Sequence, residues 1–200
     1  MTPLPLVVGI SGASGVIYGI RLLEILSDLA IPAHLVMSRS AEVTLAHETD
    51  LKVADVRALA AKTYAQGDIG ASIASGSFRT RGMVVAPCSM RSQAEIATGV
   101  TSGLLTRAAD VTLKERRRLV LMVRETPLHT GHLRTMTALS EMGAIIAPPV
   151  PAFYARPESL AEMVDHTIGR VLDLFDIDAP GVRRWRSGEG SPALSPPAPS

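Results

Sequence analysis

Asparagine is absent from the 200 residues, cysteine occurs once, aromatic residues make up only 4%, and neither sign of charge dominates. Each scarcity excludes something. The lone Cys88 has no internal disulfide partner, which rules out a disulfide-stapled module and a cysteine-rich zinc module and fits a reducing compartment. Twenty Lys and Arg against 19 Asp and Glu leave a formal charge of +1. No broad field of one sign is therefore available to hold nucleic acid or an anionic membrane, and any anion has to be held by a local site. No apolar run approaches the roughly 20 residues of a membrane-spanning helix. The start, Met1-Thr2-Pro3-Leu4, lacks the positive charge of an export signal, so a cytoplasmic protein is expected.

What is present is a globular composition, 46% hydrophobic and 20% charged, over a length that fits one domain. With few aromatics the core has to come from Ala, Val, Leu, Ile and Met, which suits helices layered on a sheet. Leu6-Val7-Val8-Gly9-Ile10 reads as a strand buried on both faces. A glycine loop, a helical pattern from Tyr18 to near Asp28 and a second apolar strand, Pro32 to Met37, complete a βαβ unit, whose strands are parallel. The pattern then predicts helices over Ala41–His47 and Val53–Tyr64, and a strand at Met83–Ala86 stopped by Pro87. It continues with helices over Ser92–Ala97 and Gly103–Glu115, a strand at Leu119–Val123, a helix over Gly131–Met142, a strand at Ala144–Ile146 and a helix over Ser159–Phe175. The fold class expected is α/β, a single open parallel sheet with helices on both faces. The domain is expected to span 1–188, followed by a disordered Pro/Ser-rich tail over 189–200.

In open parallel sheets ligands sit outside the carboxyl ends of strands, so the loops there carry the chemistry. The first is Gly9-Ile10-Ser11-Gly12-Ala13-Ser14-Gly15, whose glycines allow close backbone approach and whose serines add hydroxyl donors. Its spacing is neither a dinucleotide fingerprint nor a P-loop. Ser38 follows the second strand, with Ser40 a helix N-cap candidate. Glu48, beside Asp50, reads either as a solvated charge or as a proton carrier whose pKa would be raised against an apolar ligand. Pro87-Cys88-Ser89-Met90-Arg91-Ser92 offers a thiol that is a nucleophile only with a partnered base and otherwise a packed hydrophobe. Arg124-Glu125 directly follows a strand, which makes Arg124 the foremost phosphate-binding candidate. His129 and His132 lack a third ligand, so no metal is expected.

Taken together, Gly-Ile-Ser-Gly-Ala-Ser-Gly (9–15), Glu-Thr-Asp (48–50), Pro-Cys-Ser-Met (87–90), Arg-Ala-Ala-Asp-Val-Thr-Leu-Lys-Glu-Arg-Arg (107–117), Arg-Glu-Thr-Pro-Leu (124–128) and Pro-Ala-Phe-Tyr (151–154) make the chain resemble the UbiX flavin prenyltransferase family, over about Pro5 to Trp185. The resemblance implies a Rossmann/flavodoxin-like fold. It also implies transfer of a dimethylallyl group from dimethylallyl phosphate to N5 and C6 of reduced FMN, giving prenylated FMN for UbiD-type decarboxylases. It places Gly12, Ala13, Ser14, Ser38, Ser89, Met90, Arg91, Ser92 and Arg124 at the FMN, and Lys114, Tyr154 and Arg170, supported by Arg107, at the substrate phosphate. Arg91 then either touches the flavin or points to solvent. Ser14 and Glu48 would move the ring proton, Glu125 would relay a proton to phosphate, Lys114 would stabilise the leaving group, and Trp185 would stabilise a cation through its π face or simply anchor the C-terminal segment. The family assembles into dodecamers, so a neighbouring subunit would supply part of the phosphate grip, and no metal is implied. Two alternatives share the fold. One is an FMN-dependent cysteine decarboxylase, whose asparagine-containing motif this asparagine-free chain cannot supply; the other is a non-catalytic flavin carrier.

Overall fold

The structure, a computed structural model, describes residues 3–184. Six parallel strands form one sheet: β1 (Leu6–Ile10), β2 (Ala33–Met37), β3 (Lys62–Tyr64), β4 (Gly82–Cys88), β5 (Arg118–Val123) and β6 (Ile145–Ile146). Their order is β3-β2-β1-β4-β5-β6, the doubly wound arrangement that reverses direction between β1 and β4. The helices are α1 (Val16–Asp28), α2 (Arg39–Glu48), α3 (Val53–Ala58), α4 (Met90–Thr98), α5 (Leu104–Lys114), α6 (Thr130–Glu141) and α7 (Leu160–Asp173), with short 3-10 turns at Ser72–Ala74 and Phe153–Ala155.

Every residue of β1 and β4 is buried, as expected for central strands covered on both faces. The strand alternation divides the interior into two cores. Leu6, Val8 and Ile10 pack with Leu22 and Leu26 of α1 and Ile168 and Leu172 of α7. Val7, Val85 and Leu121 point the other way, to Leu104 and Leu105 of α5, Ile96 of α4 and Leu139 of α6. Thus α1 and α7 cover one face, and α4, α5 and α6 the other.

Two expectations need correction. The helix predicted over Val53–Tyr64 ends at Ala58, and Lys62-Thr63-Tyr64 instead forms the edge strand β3, pairing with His34–Val36. Tyr64 buries its ring in the second core and its hydroxyl meets His34 Nδ1 at 2.9 Å and Ser72 at 2.7 Å, contacts that override the local helical pattern. The strand predicted to stop at Pro87 runs on to Cys88, with the β5 register shifting between Val85 and Cys88, so the proline sits in an irregularity of the ladder. Among the described residues no helix is long and apolar enough to cross a membrane.

Candidate active site

From β1 the chain continues to β2 on one side, and from β4 to β5 on the other, so the loops leaving these adjacent strands diverge and open a crevice at their carboxyl ends. Ser11 fastens the two loops together. Its hydroxyl, 1% exposed, donates to Pro87 O at 2.8 Å and accepts from the Ser89 amide at 2.7 Å, so it is a brace rather than the ligand donor its position suggested. Gly12 has to be glycine: a Cβ there would lie 2.4 Å from Ser40 Cβ. Gly15, in the left-handed region at φ +97°, begins α1 without a side-chain cap. The carboxylate of Glu48, from the last residue of α2, takes that place, accepting from the Gly15 amide at 2.9 and 3.1 Å and from the Val16 amide at 3.0 Å.

In the chain alone this anchoring lowers the Glu48 pKa, the opposite of what enclosure against an apolar ligand would do. Partial burial pushes its carboxyl up, but hydrogen bonds from Ser14, Gly15 and Val16, with the positive charge of Arg124, outweigh that and hold it below its ordinary value. Glu48 is therefore ionised at neutral pH. Arg124 lies just past β5, its amide donating to Cys88 O at 3.2 Å. Its side chain is exposed, and its charge acts on both Glu48 and the half-buried Tyr18. Burial raises the Tyr18 pKa against the pull of Arg124, keeping the phenol neutral. Ser14 and Glu125 are exposed at the same edge, and Glu125 accepts from the Thr126 amide at 3.0 Å. Cys88 is fully buried and burial pushes its thiol up to about 12, so it is a packed hydrophobe and not a nucleophile.

Beside these residues lies a cleft of about 440 Å³ lined by Ser38, Arg39, Ser40, Ser89, Arg91, Ser92 and Glu95, among others. Ser38, not Ser40, caps α2, accepting from the Ala41 amide at 3.1 Å, and Ser89 caps α4, accepting from the Ser92 amide at 3.3 Å. Two helix N-termini, several hydroxyls and two guanidinium groups suit a phosphorylated polyol such as the FMN side chain. Ala13 sits at the loop beside them, and Met90 packs against the second core.

The remaining predicted residues lie elsewhere in the protomer. Lys114 ends α5 and pairs with Glu115, four residues before β5 begins at Arg118, so it occupies the amino edge of the sheet. Arg124 follows the other end of β5, about 20 Å away at roughly 3.3 Å per residue. Arg170, in the last turn of α7, is paired with Asp173, and the chain just beyond places Phe175 against Gly82 at the start of β4, again the amino edge. Because α5 and α7 cover opposite faces, Lys114 and Arg170 do not meet within one chain. Tyr154 lies in the second 3-10 turn with its ring edge-on to His166 of α7, 5.7 Å between centroids. Arg107, in the first turn of α5, pairs with Asp110 at 2.7 Å. The single-chain phosphate cradle is thus not assembled. Trp185 and the 189–200 tail lie outside the described residues. Among the described residues no group of three or more His, Cys, Asp or Glu could hold a metal ion.

Sequence reasoning missed Tyr18, Arg39 and Glu95. Arg39 follows Ser38 just past the end of β2, whereas no motif marks Tyr18 or Glu95, which the charge of Arg124 and the contacts with Ser102 and Thr106 tie to the site.

The family described as Flavoprotein matches residues 1–177. Flavin prenyltransferase UbiX of Escherichia coli (strain K12) is 60% identical over 184 residues, spanning 90% of this chain and 97% of that protein. Its counterpart in Thauera aromatica is 53% identical, spanning 92% and 95%. The chain belongs to the UbiX flavin prenyltransferase family. Among solved structures, AnUbiX (PadA1) in complex with FMN and dimethylallyl pyrophosphate superposes with a TM-score of 0.91 at 48% identity, covering 94% of this chain and 100% of that one. A dodecameric FMN-dependent UbiX-like decarboxylase from Escherichia coli O157:H7 gives 0.89, also at 48% identity, covering 92% and 100%. The FMN-dependent cysteine decarboxylase TvaF, at 18% identity and a TM-score of 0.60 over 73% of this chain, shows a likeness of fold.

Proposed function

We propose that this chain transfers the dimethylallyl group of dimethylallyl phosphate to N5 and then C6 of reduced FMN, and that the prenylated FMN so made serves a UbiD-type decarboxylase. The observation that carries this reading is the convergence of Ser14, Glu48 and Arg124 beside a serine-lined cleft, in a chain 48% identical to AnUbiX (PadA1), crystallised with FMN and dimethylallyl pyrophosphate. FMN is a substrate here, supplying a nucleophilic nitrogen and ring carbon, while phosphate leaves the isoprenoid carbon with the electron pair of the broken C–O bond.

The residues of this chain then divide the work. Gly12 and Ala13 let the backbone approach the flavin, while Ser38, Ser89 to Ser92 and Arg124 hold its polar groups and phosphate. Once the broken C–O bond has been used at N5, protonation of the remaining isoprenoid double bond makes its outer carbon electrophilic for C6, and Glu48, ionised and bonded to Ser14, accepts the proton then lost from C6, so that no net proton is consumed. Lys114, Tyr154 and Arg170, with Arg107, stabilise the departing phosphate, Glu125 supplies it a proton, and the role left for Trp185 is to stabilise the allylic cation. Since one chain separates Lys114 from Arg170 and both from Arg124, neighbouring copies are required, and a homo-oligomer, a dodecamer as in the Escherichia coli O157:H7 relative, supplies them. The protein is expected to work in the cytoplasm.

The test is anaerobic incubation with reduced FMN and either dimethylallyl monophosphate or pyrophosphate, followed by mass spectrometry of the released flavin. A flavin carrying one added dimethylallyl unit is expected, most rapidly from the monophosphate. Unchanged FMN in both arms would reduce the chain to a flavin carrier.

A further inference from the structure

We propose that Glu95 is a positioning residue of the flavin cleft, fixing the Arg91 guanidinium at the cleft mouth so that its two outer nitrogens grip the phosphate of FMN. The proposal rests on reading the cleft as the FMN site. Glu95 is the one acidic side chain among those lining it, an unexpected group where an anion is to bind. Its four lone-pair positions are heavily used, however. One oxygen accepts from Arg91 Nε at 2.8 Å. The other accepts from Ser102 Oγ at 2.6 Å and from Thr106 Oγ1 at 3.2 Å, both at the start of α5, a helix whose N-cap, Gly103, offers no side chain.

The pair is asymmetric. The Glu95 side chain is 15% exposed and held by three donors, whereas the Arg91 side chain is 82% exposed. An ordinary exposed pair one helical turn apart has two mobile partners and contributes little. Here one partner is immobile, and it takes Nε, the inner nitrogen of the guanidinium. The two Nη groups make no hydrogen bond among the described residues and form the fork that suits a phosphate. Burial pushes the Glu95 carboxyl up, but hydrogen bonds from Ser102, Arg91 and Thr106 outweigh it, so it stays charged and holds Arg91 at neutral pH. Of the two orientations left open for Arg91, this selects the one toward the ligand.

The experiment measures dissociation constants of FMN and riboflavin, which differ by the phosphate, from flavin fluorescence quenching on the wild type, Arg91→Ala, Arg91→Lys, Glu95→Gln and the double variant Arg91→Ala/Glu95→Gln. Arg91→Ala is expected to weaken FMN about tenfold. Arg91→Lys and Glu95→Gln should each weaken FMN by a few-fold, since a lysine has no inner nitrogen to share and a glutamine, though it keeps one acceptor oxygen, loses the charge that holds the guanidinium. The double variant should bind FMN no worse than Arg91→Ala alone, because the two residues act through one contact. Riboflavin binding should change in none of them. Equal losses for FMN and riboflavin, or losses that multiply in the double variant, would overturn the proposal while leaving the cleft as the flavin site. A wild type that binds neither flavin would remove that reading and the proposal with it.

Discussion

Glu48 carries two duties at once, and they can be separated experimentally. As the acceptor for the Gly15 and Val16 amides it caps α1, and as an ionised carboxylate it is the proposed base. Glu48→Gln keeps an acceptor oxygen but loses the charge, so it should cost about 1 kcal/mol or less of stability, read as a small fall in melting temperature. The same variant should still bind FMN yet accumulate flavin alkylated at N5 alone, detected by mass spectrometry. Normal ring closure would take Glu48 out of the proton path. Because its pKa is depressed by folding, the stabilisation from Glu48 is fully present above the ordinary carboxylate pKa and disappears as pH falls through the lower folded value. In the Gln variant that part of the acid sensitivity should vanish from a pH series of melting curves. Cys88, fully buried with a thiol pushed up to about 12, should resist iodoacetamide at pH 7 in the native protein and react on unfolding. Rapid native labelling would contradict its packing.

The elements explain why the crevice has its shape. The loop after β1 lies directly on the start of α2, and any side chain at residue 12 would overlap Ser40. Gly12→Ala should therefore displace that loop from Ser38 and lower FMN affinity by tenfold or more while the two cores stay intact, so titration with FMN should fall further than thermal stability. At this scale most of the fold was legible. Continuous apolar runs such as Leu119–Val123 can only be central strands here, and the loops that follow them are the ones that converge. Edge strand β3 was not legible, since Tyr64 is held by His34 and Ser72, residues remote from the helical pattern around it. Glu48 was identified, but the depression of its pKa was not legible, because the amides that cause it belong to a different helix. Tyr18 and Glu95 were invisible for the same reason. The separation of Lys114 from Arg124 could have been deduced: a helix that leads directly into a parallel strand, as α5 leads into β5, has to deliver the chain to that strand's amino end, so its last residue lies at the opposite edge from the strand-end loops.

At the scale of the molecule, Lys114 and Glu48 sit on different edges of the sheet, and the proposed active site joins the edge of one copy to that of another. Lys114→Ala and Glu48→Gln should each be nearly inactive alone. Unfolded together in equal amounts and reassembled, they should regain about a quarter of wild-type activity, since half the sites draw an intact Glu48 and half of those an intact Lys114. No recovery from a correctly assembled mixture would place both residues in one chain's site. The positions of Lys114 and Arg170 on opposite faces have one more consequence. On the proposed reading a solitary subunit holds fragments of several reaction chambers and none complete, so turnover per subunit should fall on dilution once the particle comes apart, even though each chain remains folded and keeps its grip on flavin.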